Sequence, residues 1–148
     1  MKQLRLILLL SVWFALPAQA IDYRAVAAPT AILYDAPSSM AKKLFVVGNG
    51  YPVDVVVSVD HWLKVRDSSG ALAWIEADKV AAASKRMLVV TAAQADIRGA
   101  AQDGATLVAR AQKGVMLEWQ ATLPGGWVKV LLPDNSSGYV KLNQVWGV

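Results

Sequence analysis

The chain has 148 residues, of which 55% are hydrophobic, and it contains one histidine and no cysteine. Its formal net charge is +4, but two of the positive charges, Lys2 and Arg5, stand at the very start of the chain. No basic run elsewhere exceeds two residues, which argues against the clustered positive face that nucleic-acid binding needs. The absence of cysteine excludes disulfides, thiol nucleophiles and thiolate metal sites.

Residues 1–20 have the three parts of a secretory signal peptide. Lys2 and Arg5 precede an apolar stretch over residues 6–16, and Ala18-Gln19-Ala20 offers small residues two positions apart. The apolar stretch is too short to cross the ~30 Å core of a bilayer comfortably. We therefore expect cleavage after Ala20, with a retained anchor helix as the alternative. The mature protein is expected to be exported, periplasmic or secreted, without stable membrane insertion.

Cleavage gives a direct prediction. The exported form should begin at Ile21 and appear in the periplasmic fraction without detergent. Mass spectrometry of that fraction checks the prediction, and an exported protein that still carries Met1 would contradict it.

The segments that follow have the character of strands. In the first half, residues 23–26 and 53–59 are mostly apolar, and residues 63–66 alternate apolar with charged side chains, as in a half-buried strand. Turn residues 67–70 lead into a further strand over residues 72–75. The chain therefore begins with short strands at regular spacing, which indicates a sandwich or a small barrel.

The second half repeats this series. Strands are predicted over residues 87–91, 128–131 and 138–140, with turn residues at 133–136. The alanine-rich residues 25–31 and 81–83 are interpreted as connections, and no segment after the leader has a useful helical period. The whole mature chain is therefore expected to be all-β.

The two halves are also similar to each other. A shift of 64 positions places Ala31-Ile32-Leu33 on Ala95-Asp96-Ile97, and one extra residue near Pro124 raises the shift to 65. With this shift, Trp62 aligns with Trp127 and Trp74 aligns with Tyr139. Trp62 and Trp74 are twelve residues apart, and so are Trp127 and Tyr139. Such self-similarity predicts a tandem duplication. The predicted boundaries are 1–20 for the signal peptide, 21–84 for the first copy and 85–148 for the second.

The matched segments resemble a known family. Trp62-Leu63-Lys64-Val65 with Ala73-Trp74-Ile75, and Trp127-Val128-Lys129-Val130 with Gly138-Tyr139-Val140, are similar to the last half of an SH3 barrel. With the leader and the duplication, the chain resembles the bacterial SH3-like (SH3b) domains of exported proteins. The resemblance implies two tandem small SH3-like β-barrels of five to six strands. It also implies a binding module, because some members attach cell-wall enzymes to peptidoglycan.

The resemblance further implies a shallow aromatic groove. Trp62 and Trp127 occupy the place of the groove tryptophan, and the candidate ligand-binding residues are Tyr34, Trp62, Trp127 and Tyr139. Binding of proline-rich peptides is not predicted, because the second copy has Arg98 where the first has Tyr34. Most of the large aromatic residues are expected to pack in the core or between the two copies. Trp62 and Trp127 are the two most expected to face solvent in part, although packing inside the core is an open alternative for both.

The residue inventory disfavours an enzyme. His61 is interpreted as a loop residue, and without a second histidine or a cysteine it provides neither a zinc site nor a base for acyl transfer. Asp60 and Asp67 are interpreted as turn residues, as is common at strand ends. We predict no catalytic residue, no metal and no cofactor, so a small hydrolase is the weakest hypothesis.

Two functional hypotheses remain. The first is recognition of cell-wall peptidoglycan glycan or peptide by a non-catalytic exported module. The second is a structural or docking protein that binds another protein of the cell envelope.

Overall fold

The computed structural model describes residues 21–147. The predicted signal peptide and its cleavage site after Ala20 lie outside the described residues. Within them the chain forms fourteen β-strands and two short 3-10 turns, and no α-helix. The all-β class is therefore confirmed.

The first seven strands form one antiparallel sheet in the spatial order β3-β2-β6-β5-β4-β1-β7. Its strands are β1 Tyr23–Val26, β2 Thr30–Tyr34, β3 Lys43–Gly48, β4 Pro52–Val59, β5 Trp62–Arg66, β6 Leu72–Glu76 and β7 Val80–Ala81.

The second seven strands form another antiparallel sheet in the order β10-β9-β13-β12-β11-β8-β14. Its strands are β8 Met87–Val90, β9 Gln94–Arg98, β10 Leu107–Gln112, β11 Met116–Leu123, β12 Trp127–Leu131, β13 Ser137–Lys141 and β14 Val145–Trp146. Counted from its own first strand, this order is identical to that of the first sheet.

The two sheets also agree in register. Trp62 pairs with Glu76 across β5 and β6, and Trp127 pairs with Lys141 across β12 and β13. The fourth strand of each sheet carries a bulge at the same aligned position, between Val55 and Val57 in the first and directly after Trp119 in the second. Aligned residues therefore occupy equivalent places, although an origin by duplication remains a prediction.

Each sheet surrounds its own apolar cluster. The alternation predicted for residues 63–66 places Leu63 and Val65 in the core while Lys64 and Arg66 point outward. Nine buried side chains form the first cluster and ten form the second. Two separate cores explain why a chain of this length forms two sheets.

Several strand predictions need correction. Residues 25–31 are not one connection, because β1 continues to Val26 and β2 starts at Thr30. Residue 81 likewise belongs to the short strand β7. Alanine disfavours strands only weakly, and pairing with neighbouring strands overrides that preference here. Each sheet has seven strands, and not the five or six that the family resemblance implies.

The sheets contact each other through aromatic and backbone groups. Tyr23 of β1 and Trp146 of β14 pack edge to face, with ring centroids 5.3 Å apart. Gly147 lies between Pro52 and Met87, where a Cβ atom would come within 2.8 Å of the Met87 carbonyl oxygen. The end of the second sheet is therefore fitted closely against the first.

Burial at this contact, together with the negative charge of Asp54, raises the pKa of Tyr23 above its usual 10.0. The folded chain thus favours the neutral phenol. We expect the contribution of the neutral Tyr23 phenol to stability to be complete below pH 10 and to be lost as the pH rises through its folded-state pKa. Measuring denaturation at increasing pH checks this expectation.

No helix within residues 21–147 has the length and apolar character needed to cross a membrane.

Candidate functional site

The four candidate residues lie on the outer faces of the sheets. None of Tyr34, Trp62, Trp127 and Tyr139 belongs to either core cluster. The reason is strand parity: in β5 and β6 the core positions are Leu63, Val65, Ala73 and Ile75, so the alternate residues point away from the core. The alternative that the tryptophan packs inside the core is therefore wrong for Trp62, whereas Trp127 is buried without joining a core cluster.

Tyr34 and Trp62 come together on the first sheet. Their rings pack edge to face with centroids 5.5 Å apart, an arrangement that aromatic pairs prefer. Tyr34 follows the core residue Leu33 on β2 and is only 6% exposed, and the pairing with β3 is irregular here because Leu44 has no partner. Trp62 is half-buried. Tyr34 therefore packs against the Trp62 ring and exposes little surface of its own to a ligand.

Trp62 borders a cleft of about 350 Å³ that is also lined by His61, Glu76, Ala77 and Asp78. The tight turn from β4 to β5 places His61 at its tip, where the side chain is exposed, as predicted for a loop residue. Glu76 faces Trp62 directly across the sheet. We call this the Trp62 cleft.

The acidic residues of the Trp62 cleft differ in their pairing. Asp78 accepts a hydrogen bond from Lys79 Nζ at 2.8 Å, which raises the pKa of the Lys79 ammonium. Glu76 forms no ion pair with any residue between 21 and 147. The negative charge of Glu76 nevertheless adds to the raised pKa of Lys79. The cleft therefore presents an aromatic ring beside a carboxylate that makes no direct ion pair.

The solvent exposure predicted for Trp127 also differs from the structure. It is only 6% exposed, so the prediction that it faces solvent in part is wrong. Lys141 Nζ lies over its ring, 4.9 Å from the centroid, and also forms an ion pair of 2.6 Å with Asp103 Oδ1. Trp127 is thus buried by charged side chains on the outer face.

The ion pairs around Trp127 continue along the same face. Arg98 and Arg110 each reach Asp96 at 3.1 Å, and Arg98 Nη1 donates to the Ala105 carbonyl at 3.0 Å. The cleft beside Trp127 is lined by Asp96, Arg98, Asp103, Lys141 and two glutamines, Gln94 and Gln144. We call this the Trp127 cleft.

Tyr139 does not join the Trp127 cleft. It is half-buried on β13, opposite Arg98 of β9 and Lys129 of β12. Its counterpart in the first sheet, Trp74, is opposite Tyr34 and lies 5.7 Å from Lys64 Nζ. The structure therefore brings Tyr34 and Trp62 into one site and leaves Trp127 and Tyr139 in separate surroundings.

The six large tryptophans and tyrosines named above divide evenly. Trp119 packs against the second core and under Arg86, 4.8 Å from the guanidinium carbon, Trp146 contacts Tyr23 of the first sheet, and Trp127 is buried. Trp62, Trp74 and Tyr139 are half-buried and belong to neither core cluster. The expectation that most of these residues pack in the core or between the copies therefore holds for three of the six.

Sequence reasoning missed Glu76 and Asp78. A signal was present, because the aligned position of Glu76 in the second copy is Lys141, a reversal of charge beside an unchanged tryptophan. Such a reversal at equivalent positions points to a difference in what the two tryptophans contact.

Residues 21–147 contain no group of three His, Asp or Glu side chains placed to hold a metal ion. The chemistry of the Trp62 cleft is that of an aromatic face, two carboxylates and one exposed imidazole.

Comparison with known proteins finds a family match within the first half of the chain. Residues 27–81 match the family model of the bacterial SH3 domain. No curated protein matches the chain significantly.

Solved structures similar to the chain include NlpC1 from Trichomonas vaginalis, 13% identical with a TM-score of 0.40, covering 94% of this chain and 50% of that one. An NlpC/P60 family protein from Bacillus cereus is 14% identical with a TM-score of 0.39, covering 84% and 56%. The chain thus spans about half the length of these proteins. The segment that carries Tyr34, Trp62 and Glu76 is the one that matches the bacterial SH3 domain.

Proposed function

We propose that the protein is a non-catalytic, exported binding module that recognises cell-wall peptidoglycan, or its peptides, through the Trp62 cleft. The observation that carries the proposal is the Trp62 ring. It is half-buried, stands outside the core, is supported by Tyr34 and borders an open cleft with Glu76. A large aromatic side chain held on the outer face of a small domain offers a flat apolar surface and one N–H donor to a ligand.

The match to the bacterial SH3 domain supports a binding role for this face. The side chains of the cleft agree with it. His61 is its only imidazole, and neither a second histidine nor a nucleophilic hydroxyl lines the cleft beside it. Binding, rather than bond cleavage, is what this set of groups supports.

The test is co-sedimentation of the protein, expressed from the full chain, with purified sacculi. Trp62→Ala is expected to weaken sedimentation severalfold while the melting temperature falls by less than a core substitution would lower it, because the ring is outside the core cluster. Truncation of a core tryptophan costs ~3–5 kcal/mol. Trp127→Ala is the matched control and is expected to keep sacculus binding, because Lys141 already covers that ring.

Sacculus binding by Trp62→Ala equal to that of the unaltered protein would overturn the assignment of the cleft. A parallel capture from an envelope extract tests the alternative. Recovery of one envelope protein, with no binding to sacculi, would replace cell-wall recognition by docking to that protein.

A further inference from the structure

We propose that the Trp62 cleft binds a primary ammonium group on a flexible aliphatic chain, with the ammonium over the Trp62 ring and beside Glu76. The inference rests on the proposed function and deepens it. It makes the free amines of peptidoglycan peptides, rather than the glycan, the part that is recognised.

The second sheet shows this recognition within the same chain. Trp127 has the same register position as Trp62, and the ammonium of Lys141 lies over its ring, 4.9 Å from the centroid. The same ammonium is 2.6 Å from an Asp103 carboxylate oxygen. A tryptophan at this position of the fold therefore accepts a primary ammonium that is held jointly by the ring and a carboxylate, as expected for a cation–π contact.

The first sheet has the ring and the carboxylate, but its nearby cation, Lys79, pairs with Asp78 and does not lie over the ring. Glu76 replaces the lysine opposite the tryptophan, and Asp78 adds a second carboxylate to the cleft. Among residues 21–147, no lysine or arginine lies over the Trp62 ring, because Lys79 is directed to Asp78. The cation that completes the arrangement must then come from a ligand.

Besides Lys141, three charged side chains around Trp127 align with uncharged residues in the first copy. The aligned positions of Asp96, Arg98 and Asp103 are Ile32, Tyr34 and Ser39 in the first copy. None of these three charged side chains is kept in the first copy, and Tyr34 packs on the Trp62 ring where the second copy has Arg98. The Trp62 ring and Ala77 give the cleft apolar surface for the methylene groups of an aliphatic amine, whose stem packs on such surface while its charged end stays near solvent.

The test uses Nα-acetyl-lysine methylamide as the probe, titrated into the full-chain protein and followed by the indole N–H resonance of Trp62. Its Nε-acetylated form, which has the same stem without the charge, is expected to leave that resonance unchanged. Trp62→Ala removes this resonance, so its binding is followed by calorimetry. The expected weakening is about fivefold for Trp62→Ala and about two- to fivefold for Glu76→Gln.

Two further variants sharpen the test. Glu118→Gln alters the only other glutamate of the chain, which pairs with Lys85 away from the cleft, and is expected to bind as the unaltered protein does. Glu76→Lys copies the second sheet, so the introduced ammonium is expected to occupy the Trp62 ring and abolish probe binding. Core methyl resonances report whether each variant is folded, and Glu76→Gln keeps the test decisive if Glu76→Lys does not fold.

Sacculi whose amines have been acetylated separate this inference from the proposed function. Binding to native but not to acetylated sacculi supports both. Equal binding to native and acetylated sacculi overturns the ammonium proposal and leaves cell-wall recognition standing. Probe binding without any sacculus binding overturns cell-wall recognition and leaves the ammonium proposal standing. An equal response to both probes, or unchanged affinity in both Trp62→Ala and Glu76→Gln, also overturns the ammonium proposal.

Discussion

Replacement of Gly138 by alanine is expected to destabilise the second sheet by about 1–3 kcal/mol, the usual cost of overpacking a core. The new methyl group would overlap Cγ2 of Ile97 on the neighbouring strand β9. That atom is attached directly to Cβ of a β-branched side chain, which has little freedom to move aside. Thermal denaturation checks the result, with about 4–8 °C expected for each kcal/mol in a domain of this size.

The first sheet supplies the control for this prediction. Ala73 occupies the position aligned with Gly138, is buried, and shares its core with Leu33, which is aligned with Ile97. Leucine branches one carbon further out, so it leaves room for the alanine methyl group. The double variant Gly138→Ala, Ile97→Leu should therefore recover most of the lost stability. Additive losses in the double variant would contradict this explanation.

Replacement of Asp67 by alanine is expected to cost about 1.5–3 kcal/mol, the usual contribution of hydrogen bonds to a charged group. Asp67 is 5% exposed, and its Oδ1 accepts hydrogen bonds from Ser69 N at 2.8 Å, Ser69 Oγ at 2.6 Å and Ala71 N at 3.1 Å. Asp67→Asn keeps an oxygen acceptor and should lose less. Chemical denaturation of the three proteins checks the order, which is contradicted if Asp67→Ala and Asp67→Asn are equal.

The corresponding turn of the second sheet gives a matched comparison. Asp134 is exposed, and hydrogen bonds from the hydroxyl and the amide of Ser136 hold the pKa of its carboxyl below its ordinary value. Its support for the turn is therefore present at neutral pH and is lost as the pH falls through the folded-state pKa. Asp134→Ala should be milder than Asp67→Ala, because water replaces the lost contacts of an exposed group.

Strands were predicted best where side chains alternate. Residues 63–66 agree with β5 to within one residue, because one face of that strand is apolar and the other carries charges. Residues 72–75 agree equally well with β6, because the turn over residues 67–70 marks where that strand begins. The edge strands β3 and β10 were missed. They expose large apolar side chains such as Phe45 and Leu107, so their hydrophobic pattern does not report which face is buried.

The site was predicted only in part. Alignment of the two halves identified Trp62 and Trp127, but their surroundings depend on loop residues and on partners across the sheet. Asp103, in the loop between β9 and β10, reaches Lys141 of β13 through a long-range contact that one-dimensional spacing does not reveal. Burial of Trp127 therefore was not predictable from its position in the repeat alone.

The lysine that covers Trp127 bears on the number of binding sites that the proposed function gives one chain. Lys141 and Asp103 already occupy the second cleft, so under the proposed function the two sheets have a single ammonium-binding cleft, that of Trp62. A molecule with one such cleft would bind a polymer without cross-linking it through these clefts. It would also lack the gain of about 10²–10⁴ in apparent affinity that a divalent molecule can obtain.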